Sequence, residues 1–209
     1  ADGREVVVKV RRPGLRRRVD RDLAIAGWLA VRAERGTAWG RTLGVAGLAD
    51  EFADQLRGEL DFRIEARCVR EIAAAVDDES RVHVPQVIDE LTSEGVLVME
   101  RLAGRTLAEL DPAERPADAR ELADALCGSQ IRSMLAGERF HGDPHPGNVL
   151  LLEDGRLGLI DLDLSARLDA FERASVYQML LALQQQQPAL LLESMASLGA
   201  VDPSVHDPD

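Results

Sequence analysis

Residues 140–164, FHGDPHPGNVLLLEDGRLGLIDLDL, hold the densest group of chemically capable side chains in the chain. Two prolines and two glycines fall within residues 141–148, a composition typical of a loop. Two short apolar runs follow, residues 149–152 and 157–160, with Asp-Gly between them. An Asp-Gly pair flanked by apolar runs is the strongest short-range signal for a β-hairpin. The stretch therefore predicts a polar loop that leads directly into a hairpin.

The hairpin predicts which residues lie opposite each other. If Asp154 and Gly155 form a two-residue turn, Asn148 faces Asp161 at the open end of the hairpin. Directly opposed residues have Cβ atoms about 5 Å apart on one face. A carboxamide oxygen and a carboxylate placed in this way suit Mg²⁺, which prefers oxygen ligands. We therefore predict Asn148 and Asp161 as metal ligands, although each alone is also an ordinary residue for a turn or a strand end.

The loop has the spacing of a phosphoryl-transfer site. His141, Asp143 and Asn148 follow the pattern H-x-D-x-x-x-x-N of the protein-kinase catalytic loop. Asp161, after the hairpin, takes the place of the aspartate in the Asp-Phe-Gly motif. In that chemistry Asp143 orients the attacking hydroxyl, and the other two oxygen ligands hold the metal. His141 and His145 are predicted to be hydrogen-bonded loop residues, because no third nitrogen or sulfur ligand lies at zinc spacing.

A second candidate lies in VVVKV, residues 6–10. Lys9 is the single lysine among 25 basic residues, and the valines around it predict a strand. An ammonium is a compact point charge that suits phosphate oxygens in a narrow pocket, where a planar guanidinium does not fit. The alternative is a lysine at a strand edge whose stem covers apolar surface.

A phosphate-binding lysine needs an acidic partner, and the segment 48–78, predicted as one long helix, offers Glu65. No cation lies three or four positions from Glu65, so its carboxylate is predicted to pair with Lys9. A solvated glutamate is the alternative. The helix is predicted from an apolar residue at every fourth position: Phe52, Leu56, Leu60, Ile64 and Cys68.

The rest of the chain predicts two lobes. Further helices are predicted over 15–35 and 116–136, and two strands, His83–Ile88 and Val96–Glu100, are predicted to form a hairpin. Residues 102–105 are predicted to form a connector, which places the lobe boundary near Leu102.

Composition excludes several classes of function. The chain has 209 residues and a net charge of −12, which disfavours nonspecific binding to nucleic acid. No apolar run is long enough for a transmembrane span and the first residues do not resemble a signal peptide, so a cytoplasmic location is predicted. The first 41 residues are nevertheless basic, with eleven Lys/Arg against five Asp/Glu. The basic cluster within residues 11–21 is either a solvated helix face or a peripheral contact with an anionic partner or membrane.

Cys68 and Cys127 are predicted to be buried, reduced thiols.

These motifs together resemble a known family. Four stretches are similar to the UbiB family (AarF-type) of atypical, protein-kinase-like proteins associated with ubiquinone biosynthesis and lipid metabolism: VVVKVRRPG (6–14), ELDFRIEA (59–66), VPQVIDELTSEGVLVMERLAG (84–104) and the quoted stretch 140–164. The resemblance runs from the first residue to about Arg173. The segment HGDxHPGN is also typical of aminoglycoside- and choline-kinase-like phosphotransferases.

The resemblance implies a mixed α/β, protein-kinase-like two-lobed fold, with an incomplete N-lobe over 1–102 and a mainly helical C-lobe over 103–209. It implies ATP and Mg²⁺ as cofactors, with phosphoryl transfer or ATP hydrolysis as the activity and quinone or lipid metabolism as the substrate side. The resemblance also implies roles for single residues. In the N-lobe, Lys9 binds phosphate with Glu65 as its partner, Glu59 and Asp61 form the Glu-x-Asp element of the family, and Met99–Leu102, including Glu100 and Leu102, contacts adenine. In the C-lobe, Asp143 is catalytic, and Asn148 and Asp161 bind the metal.

Two departures from the family pattern leave alternatives open. The family's Lys-x-Gly-Gln extension and alanine-rich nucleotide loop precede the lysine strand, and neither is in this sequence. Either the chain is a fragment, active only at full length, or it is a protein that has lost this element. Leu162-Asp163 replaces Phe-Gly, and Asp163 would either add a metal ligand or repel nucleotide. The alternative functions are therefore a weakly catalytic pseudokinase scaffold and a small-molecule phosphotransferase, of which ELDFRIEA disfavours the second.

Overall fold

The computed structural model describes residues 3, 5–76, 80–114 and 116–201. In chain order its α-helices are α1 (Leu15–Gly36), α2 (Ala38–Leu43), α3 (Val45–Glu59), α4 (Phe62–Ala75), α5 (Ala119–Ala136), α6 (Ala170–Gln184) and α7 (Pro188–Ser197). Its strands are β1 (Val6–Val10), β2 (Val82–His83), β3 (Val96–Glu100), β4 (Gly104–Thr106), β5 (Phe140–His141), β6 (Val149–Leu152), β7 (Leu157–Leu159) and β8 (Ser165–Ala166).

The chain forms two compact units. The first runs to Arg70 and resumes from Pro85 to Arg101, and the second comprises Glu71–Val84 and the chain from Leu102 onward. One of the three divisions between the units, after Arg70, therefore falls inside α4. Each unit has its own small sheet, and the elements that carry the candidate residues belong to one unit or the other.

In the first unit, the valine run forms the predicted strand. β1 pairs antiparallel with β3, and Lys9 lies opposite Leu97. Leu97 and Met99 of β3 are buried with Ala66 of α4. The valines of β1 are exposed, and Val10 keeps 63% of its surface. The two-stranded sheet therefore buries its β3 residues against α4 and leaves β1 accessible.

The prediction of one helix over 48–78 is wrong, because the chain breaks at Leu60 and Asp61 between α3 and α4. The Asp61 carboxylate accepts the backbone N–H of Arg63 at 3.0 Å, as a capping residue does at the start of a helix. The break also ends the apolar stripe. Cys68 is buried, but Phe52 is 60% exposed. The predicted helix over 15–35 is confirmed as α1.

The predicted hairpin of residues 83–88 with 96–100 is only partly present. Val82–His83 pairs in parallel with β7, in the second unit. Beyond Pro85 the chain turns to β3, where the Ile88 N–H donates to the Val98 carbonyl at 2.8 Å. Proline offers no N–H to a strand partner, so the run His83–Ile88 is interrupted at Pro85 and serves two different sheets.

The second unit is built on a four-stranded sheet with the order β2-β7-β6-β4. The predicted connector at 102–105 is corrected here, because Gly104–Thr106 is a strand paired antiparallel with β6. A Cβ atom on Gly104 would lie 2.4 Å from the Leu151 carbonyl oxygen. Only glycine allows the two backbones to approach this closely. Helix α5 ends at Gly137, whose φ of 74° supplies the left-handed cap.

The hairpin of β6 and β7 is confirmed, but its predicted register is wrong by one residue. Val149 pairs with Leu159, and the Ile160 N–H donates to the Asn148 carbonyl at 2.9 Å. Asn148 therefore lies opposite Ile160 and not opposite Asp161.

The physical reason is the turn type. Residues 153–155 form a three-residue loop in which the Gly155 N–H donates to the Leu152 carbonyl and Gly155 has a φ of 82°. The Asp154 carboxylate accepts the backbone N–H of Arg156 at 3.0 Å and its Nε at 2.8 Å. The Arg156 guanidinium lowers the pKa of Asp154 from its ordinary value, so the carboxylate holds this loop at neutral pH.

The start of α6 and the two cysteines complete the description of the fold. Helix α6 begins with a capping box, in which the Asp169 carboxylate accepts the Glu172 N–H at 2.8 Å. Both cysteines are free. Cys68 is buried as predicted, whereas Cys127 on α5 is exposed, so the prediction of burial is wrong for Cys127. Among the described residues, no helix has the length and apolarity needed to cross a membrane.

The turn conformation predicts opposite effects for two Gly→Ala substitutions. Gly155→Ala places a Cβ in the left-handed region and is expected to lower the free energy of unfolding by about 1–2 kcal/mol. Gly128→Ala, within α5 of the same unit, is expected to raise it by about 0.5–1 kcal/mol, because alanine costs less entropy in a helix. Urea unfolding monitored by circular dichroism measures both. Equal effects of the two substitutions would contradict the left-handed conformation of Gly155.

Candidate functional site

The loop that begins at His141 is joined at its base to the segment that follows the hairpin. β5 and β8 pair antiparallel, with Phe140 opposite Ala166 and His141 opposite Ser165. One step further, the Gly142 N–H donates to the Leu164 carbonyl at 2.8 Å. We call the two segments that meet here, residues 139–142 and 164–167, the ribbon. It brings Asp143 and the residues after Ile160 to the same end of the second unit.

Within the loop, Asn148 is tied to Asp143. The Asn148 Nδ2 donates to the Asp143 carbonyl oxygen at 3.3 Å, and the Asn148 N–H donates to the His145 carbonyl at 2.8 Å. With its amide nitrogen engaged, the Asn148 side chain presents its Oδ1 as an acceptor. The Asp143 side chain is exposed. The loop therefore presents one carboxylate and one carboxamide oxygen from a backbone that its own hydrogen bonds constrain.

Asp161 follows immediately after the residue that pairs with Asn148. The two candidate ligands are thus neighbours across the hairpin, displaced by one position from the predicted alignment. Asp161 has a φ of 57°, in the left-handed region that non-glycine residues rarely adopt. Such a conformation costs on the order of 1 kcal/mol or more and is concentrated at functional sites. Asp161 is exposed, whereas the adjacent Leu162 is buried.

Asp163 is an exposed residue whose carboxylate bonds locally. Its Oδ1 accepts the backbone N–H of Leu164 at 2.6 Å. Asp163 and Asp161 are both exposed, while Leu162 between them is 1% exposed. The replacement of Phe-Gly by Leu-Asp therefore keeps an apolar anchor in the core and adds a negative charge at the surface.

His141 lies in the interior next to these aspartates and is 2% exposed. Its backbone N–H donates to Gln130 Oε1 at 3.1 Å, and its Nδ1 lies 3.4 Å from the Leu164 carbonyl oxygen. Burial lowers the pKa of His141 below its ordinary value, although the negative charges of Asp143, Asp161 and Asp163 act in the opposite direction.

The prediction that both histidines are hydrogen-bonded is confirmed, but His141 belongs to strand β5 and only His145 lies in the loop. His145 is exposed, and its Nδ1 accepts the Gly147 N–H at 3.0 Å. Gln130 of α5 was not predicted as a site residue. The signal for it is polar: Ser129, Gln130 and Ser133 form a buried polar patch on one helix.

In the first unit, Lys9 and Glu65 come together. The Lys9 Nζ lies 2.6 Å from Glu65 Oε1, and the Glu65 side chain is only 9% exposed. Glu65 stands in the first turn of α4, where the helix dipole also favours a carboxylate. The predicted pairing is therefore present, and its role in binding phosphate stays a prediction.

The two residues predicted to contact adenine lie on either side of a division between the units. Glu100 ends β3 opposite Val6. Its N–H donates to the Gln86 carbonyl at 2.8 Å and its Oε2 accepts the Gln86 N–H at 3.1 Å. Leu102 belongs to the second unit, where its side chain reaches Gly158 of β7. The Glu100 carboxylate is thus engaged with the segment that follows Pro85.

The donor set in the second unit suits a hard cation. No three His, Cys, Asp or Glu side chains within the described ranges converge closely enough to hold a metal ion by themselves. Mg²⁺ in nucleotide sites is held by one or two protein oxygens, with phosphate oxygens and water completing its shell. The Asp161 carboxylate and the Asn148 Oδ1 match that requirement. They do not match the nitrogen and sulfur ligands of a structural zinc site.

The framework is mixed α/β and carries a loop with kinase spacing, a hairpin after it and a partly buried Lys–Glu pair. These features define a kinase-like protein. Residues 1–195 match the ABC1 atypical kinase-like domain, and the chain belongs to this family.

Relatives agree with this assignment. A Mycobacterium tuberculosis protein described as uncharacterized is 34% identical over 209 residues, covering 96% of this chain and 43% of its own length. The Arabidopsis thaliana protein ACTIVITY OF BC1 COMPLEX KINASE 1, chloroplastic, is 31% identical over 164 residues, covering 77% of this chain and 24% of its own length. The chain thus spans less than half the length of both.

A solved structure has the same fold. The complex of Rv3197 with erythromycin from Mycobacterium tuberculosis superposes with a TM-score of 0.64 at 28% identity, covering 93% of this chain and 49% of that protein. This likeness extends over both units of the chain.

The buried histidine predicts a pH-dependent stability. Because the pKa of His141 is lowered in the folded state, the unfolded chain binds a proton first as the pH falls below about 6.5. Stability is therefore expected to fall on acidification, with a slope of at most about 1.4 kcal/mol per pH unit from this residue. Urea unfolding between pH 7.5 and 5.5 measures the slope. His141→Asn should flatten it, while His145→Asn, at an exposed site, should leave it unchanged. An unaltered slope in His141→Asn would contradict the assignment.

Proposed function

We propose that the protein binds Mg²⁺ together with an adenine nucleotide and supports phosphoryl transfer or ATP hydrolysis. The observation that carries this proposal is the convergence of Asp143, Asn148 and Asp161 at one end of the ribbon, supported by the hydrogen bonds from Asn148 to Asp143 and from Ile160 to Asn148. The family assignment supports the same chemistry at a coarser level.

Each residue in the second unit has a distinct role in the proposal. Asp143 orients the attacking hydroxyl or water and accepts its proton, for which its exposed carboxylate is suited. Asn148 and Asp161 hold Mg²⁺ through Oδ1 and the carboxylate. When bound, Mg²⁺ neutralises the phosphate charge and orients the transferred group. His141 stabilises the backbone at Leu164 through the contact of its Nδ1 with the Leu164 carbonyl oxygen.

The first unit supplies the phosphate contact. Glu65 holds the Lys9 ammonium at 2.6 Å, which limits the rotamers of a long side chain. A fixed ammonium is a stronger electrostatic partner for phosphate than a mobile one, because less entropy is lost on binding. Glu100, the last residue of β3, and Leu102, two residues further, are proposed to contact adenine. We retain 1–102 and 103–209 as the proposed functional lobes.

The substrate side belongs to the same proposal. The motifs resemble the UbiB subtype, so the acceptor is proposed to come from quinone or lipid metabolism, with the chain on the cytoplasmic side of a membrane. Arg12, just before α1, and Arg17, Arg18 and Arg21 in its first two turns are exposed and are proposed to contact an anionic membrane surface. Because the chain covers less than half of some relatives, the activity of the whole protein is part of the proposal.

A non-catalytic scaffold is the second candidate. The charge of Asp163, exposed beside Asp161, favours it, because an added carboxylate without a bound metal repels nucleotide phosphates.

The metal assignment predicts that nucleotide binding depends on Mg²⁺. Calorimetric titration with ATP should show at least a tenfold weaker affinity in EDTA than in excess Mg²⁺, because phosphate charge is then unscreened beside Asp161. Asp161→Asn and Asn148→Ala should each abolish most of the difference. Asp154→Asn, in the hairpin turn, is the matched control and should retain it. Equal affinities with and without Mg²⁺ would exclude the proposed ligands, and no binding in either condition would favour the scaffold.

The proposed role of Lys9 predicts that its exchange for arginine lowers nucleotide turnover even though the positive charge is kept. Lys9→Arg is expected to reduce nucleotide turnover about a hundredfold, because the planar guanidinium misplaces the phosphates; loss of one preorganised contact costs on the order of 3 kcal/mol. Arg17→Lys, the reverse exchange at an exposed position of α1, should have no effect. Steady-state turnover and thermal unfolding are measured for both. A Lys9→Arg protein that turns over nucleotide like the parent would refute the role of Lys9.

A further inference from the structure

Three charged side chains meet at the outer end of the ribbon. Glu71, in the last part of α4, accepts the Arg139 Nε at 2.8 Å and an Arg167 guanidinium N–H at 3.2 Å, both on Oε2. The side chains of Glu71 and Arg139 are 32% and 26% exposed, and that of Arg167 is 54% exposed. One carboxylate thus bridges two arginines within the second unit.

The register of the ribbon gives this bridge a physical role. Phe140 lies opposite Ala166 and His141 opposite Ser165. Continued one step outward, the same register places Arg139 opposite Arg167. Like charges directly opposed across antiparallel strands are destabilising. The Glu71 carboxylate lies within hydrogen-bonding distance of both guanidinium groups and offsets their repulsion.

Arg139 adds a second tie across the ribbon. A terminal guanidinium nitrogen of Arg139 donates to the Ser165 carbonyl at 3.4 Å and to its Oγ at 3.2 Å. The same side chain therefore contacts the opposite strand and the Glu71 carboxylate at once. Glu71 restrains the Arg139 side chain in the orientation that reaches Ser165.

The other end of the ribbon carries the candidate site. The last backbone hydrogen bond of the ribbon joins Gly142 to Leu164. Gly142 immediately precedes Asp143, and Leu164 lies three residues after Asp161. Each strand of the ribbon has only two residues in regular pairing. Such a short ribbon is marginal without side-chain support, so the state of its outer end affects the separation of the two aspartates at its inner end.

We propose that Glu71 is a positioning residue: by bridging Arg139 and Arg167 it keeps the ribbon closed and thereby sets the position of Asp143 relative to Asp161. The consequence for catalysis rests on the proposed function, whereas the closure of the ribbon does not.

The test is Glu71→Gln, which preserves size but removes the charge between the two arginines. Amide hydrogen exchange at Gly142 and across residues 164–167 is expected to accelerate about tenfold, because the ribbon opens more often. With Mg-ATP, kcat is expected to fall about tenfold while KM changes less than twofold, since nucleotide contacts stay intact and only the reacting geometry loosens. Glu114→Gln is the matched control, because Glu114 accepts two bonds from Arg105 at 3.0 Å outside the ribbon.

A second substitution separates positioning from a simple ion pair. Arg167→Gln in the Glu71→Gln background removes one of the two opposed like charges, so the double variant is expected to regain slow exchange at Gly142. If Glu71 acted only by attracting the arginines, the double variant would not regain slow exchange, because Glu71→Gln has already removed that attraction. Arg167→Gln alone also keeps the test valid if Glu71→Gln does not fold, and it should leave exchange at Gly142 slow, because Glu71 and Arg139 stay paired.

The outcomes distinguish this inference from the proposed function. Unchanged exchange at Gly142 in Glu71→Gln, or no recovery in the double variant, would overturn the role of Glu71. Accelerated exchange with a fall in kcat supports it. If the parent protein shows no turnover, the proposed function fails while the exchange data still decide whether Glu71 closes the ribbon. Accelerated exchange with an unchanged kcat would overturn the link between the ribbon and the reacting geometry.

Discussion

The backbone pairing of Phe140–His141 with Ser165–Ala166 is the constraint on which the candidate site depends. The catalytic-type loop and the segment after the hairpin are separated by two strands in sequence, and this pairing joins the start of the loop to that segment. The Gly142 N–H to Leu164 bond extends it to the residue before Asp143. Glycine at 142 also matters sterically, because a Cβ there would lie 3.0 Å from the Leu164 carbonyl oxygen. A larger residue would push the two segments apart where they must be closest.

The same segment explains why a histidine is buried at the base of the loop. His141 places its ring against the Leu164 carbonyl, and its Nε2 has no hydrogen-bond partner among the described residues. Burying an unpaired polar atom costs roughly 1–3 kcal/mol. The contact of the other ring nitrogen, Nδ1, with the Leu164 carbonyl oxygen at 3.4 Å offsets part of this cost. Burial lowers the pKa of His141 and so keeps the ring neutral, although the nearby aspartates favour the charged form.

Sequence patterns predicted the elements that have a local physical signal. The valine run of β1, the helix α1 and the existence of the β6–β7 hairpin were predicted correctly. The register was not, because the turn type depends on the contact between Asp154 and Arg156, and Asp-Gly is compatible with both a two-residue and a three-residue loop. The break between α3 and α4 depends on a distant partner, since the Phe62 N–H donates to the Glu94 carbonyl. The ribbon has too few residues for any periodicity. Of the site, the pairing of Lys9 with Glu65 and the proximity of Asn148 to Asp161 were predictable. Glu71 and Gln130 were not, since each contacts a segment distant in sequence: Gln130 accepts the His141 backbone N–H, and Glu71 accepts from two arginine side chains.

The exchange of Phe-Gly for Leu-Asp can be understood from the backbone around Asp161. Holding a non-glycine residue at a φ of 57° costs about 1–2 kcal/mol, and burial of the next side chain, Leu162, contributes about 1.5–3 kcal/mol in the opposite direction. The anchor therefore suffices to keep Asp161 in the left-handed region, and the shape of the apolar residue matters less than its burial. Asp163 does not have a positive φ, so the backbone does not require glycine there. Its carboxylate instead accepts the Leu164 N–H at 2.6 Å, which turns the chain toward Ser165 and the ribbon. The Asp163 carboxylate thus has a local structural role. Its negative charge beside Asp161 also repels a bound phosphate, and only a cation can offset that repulsion.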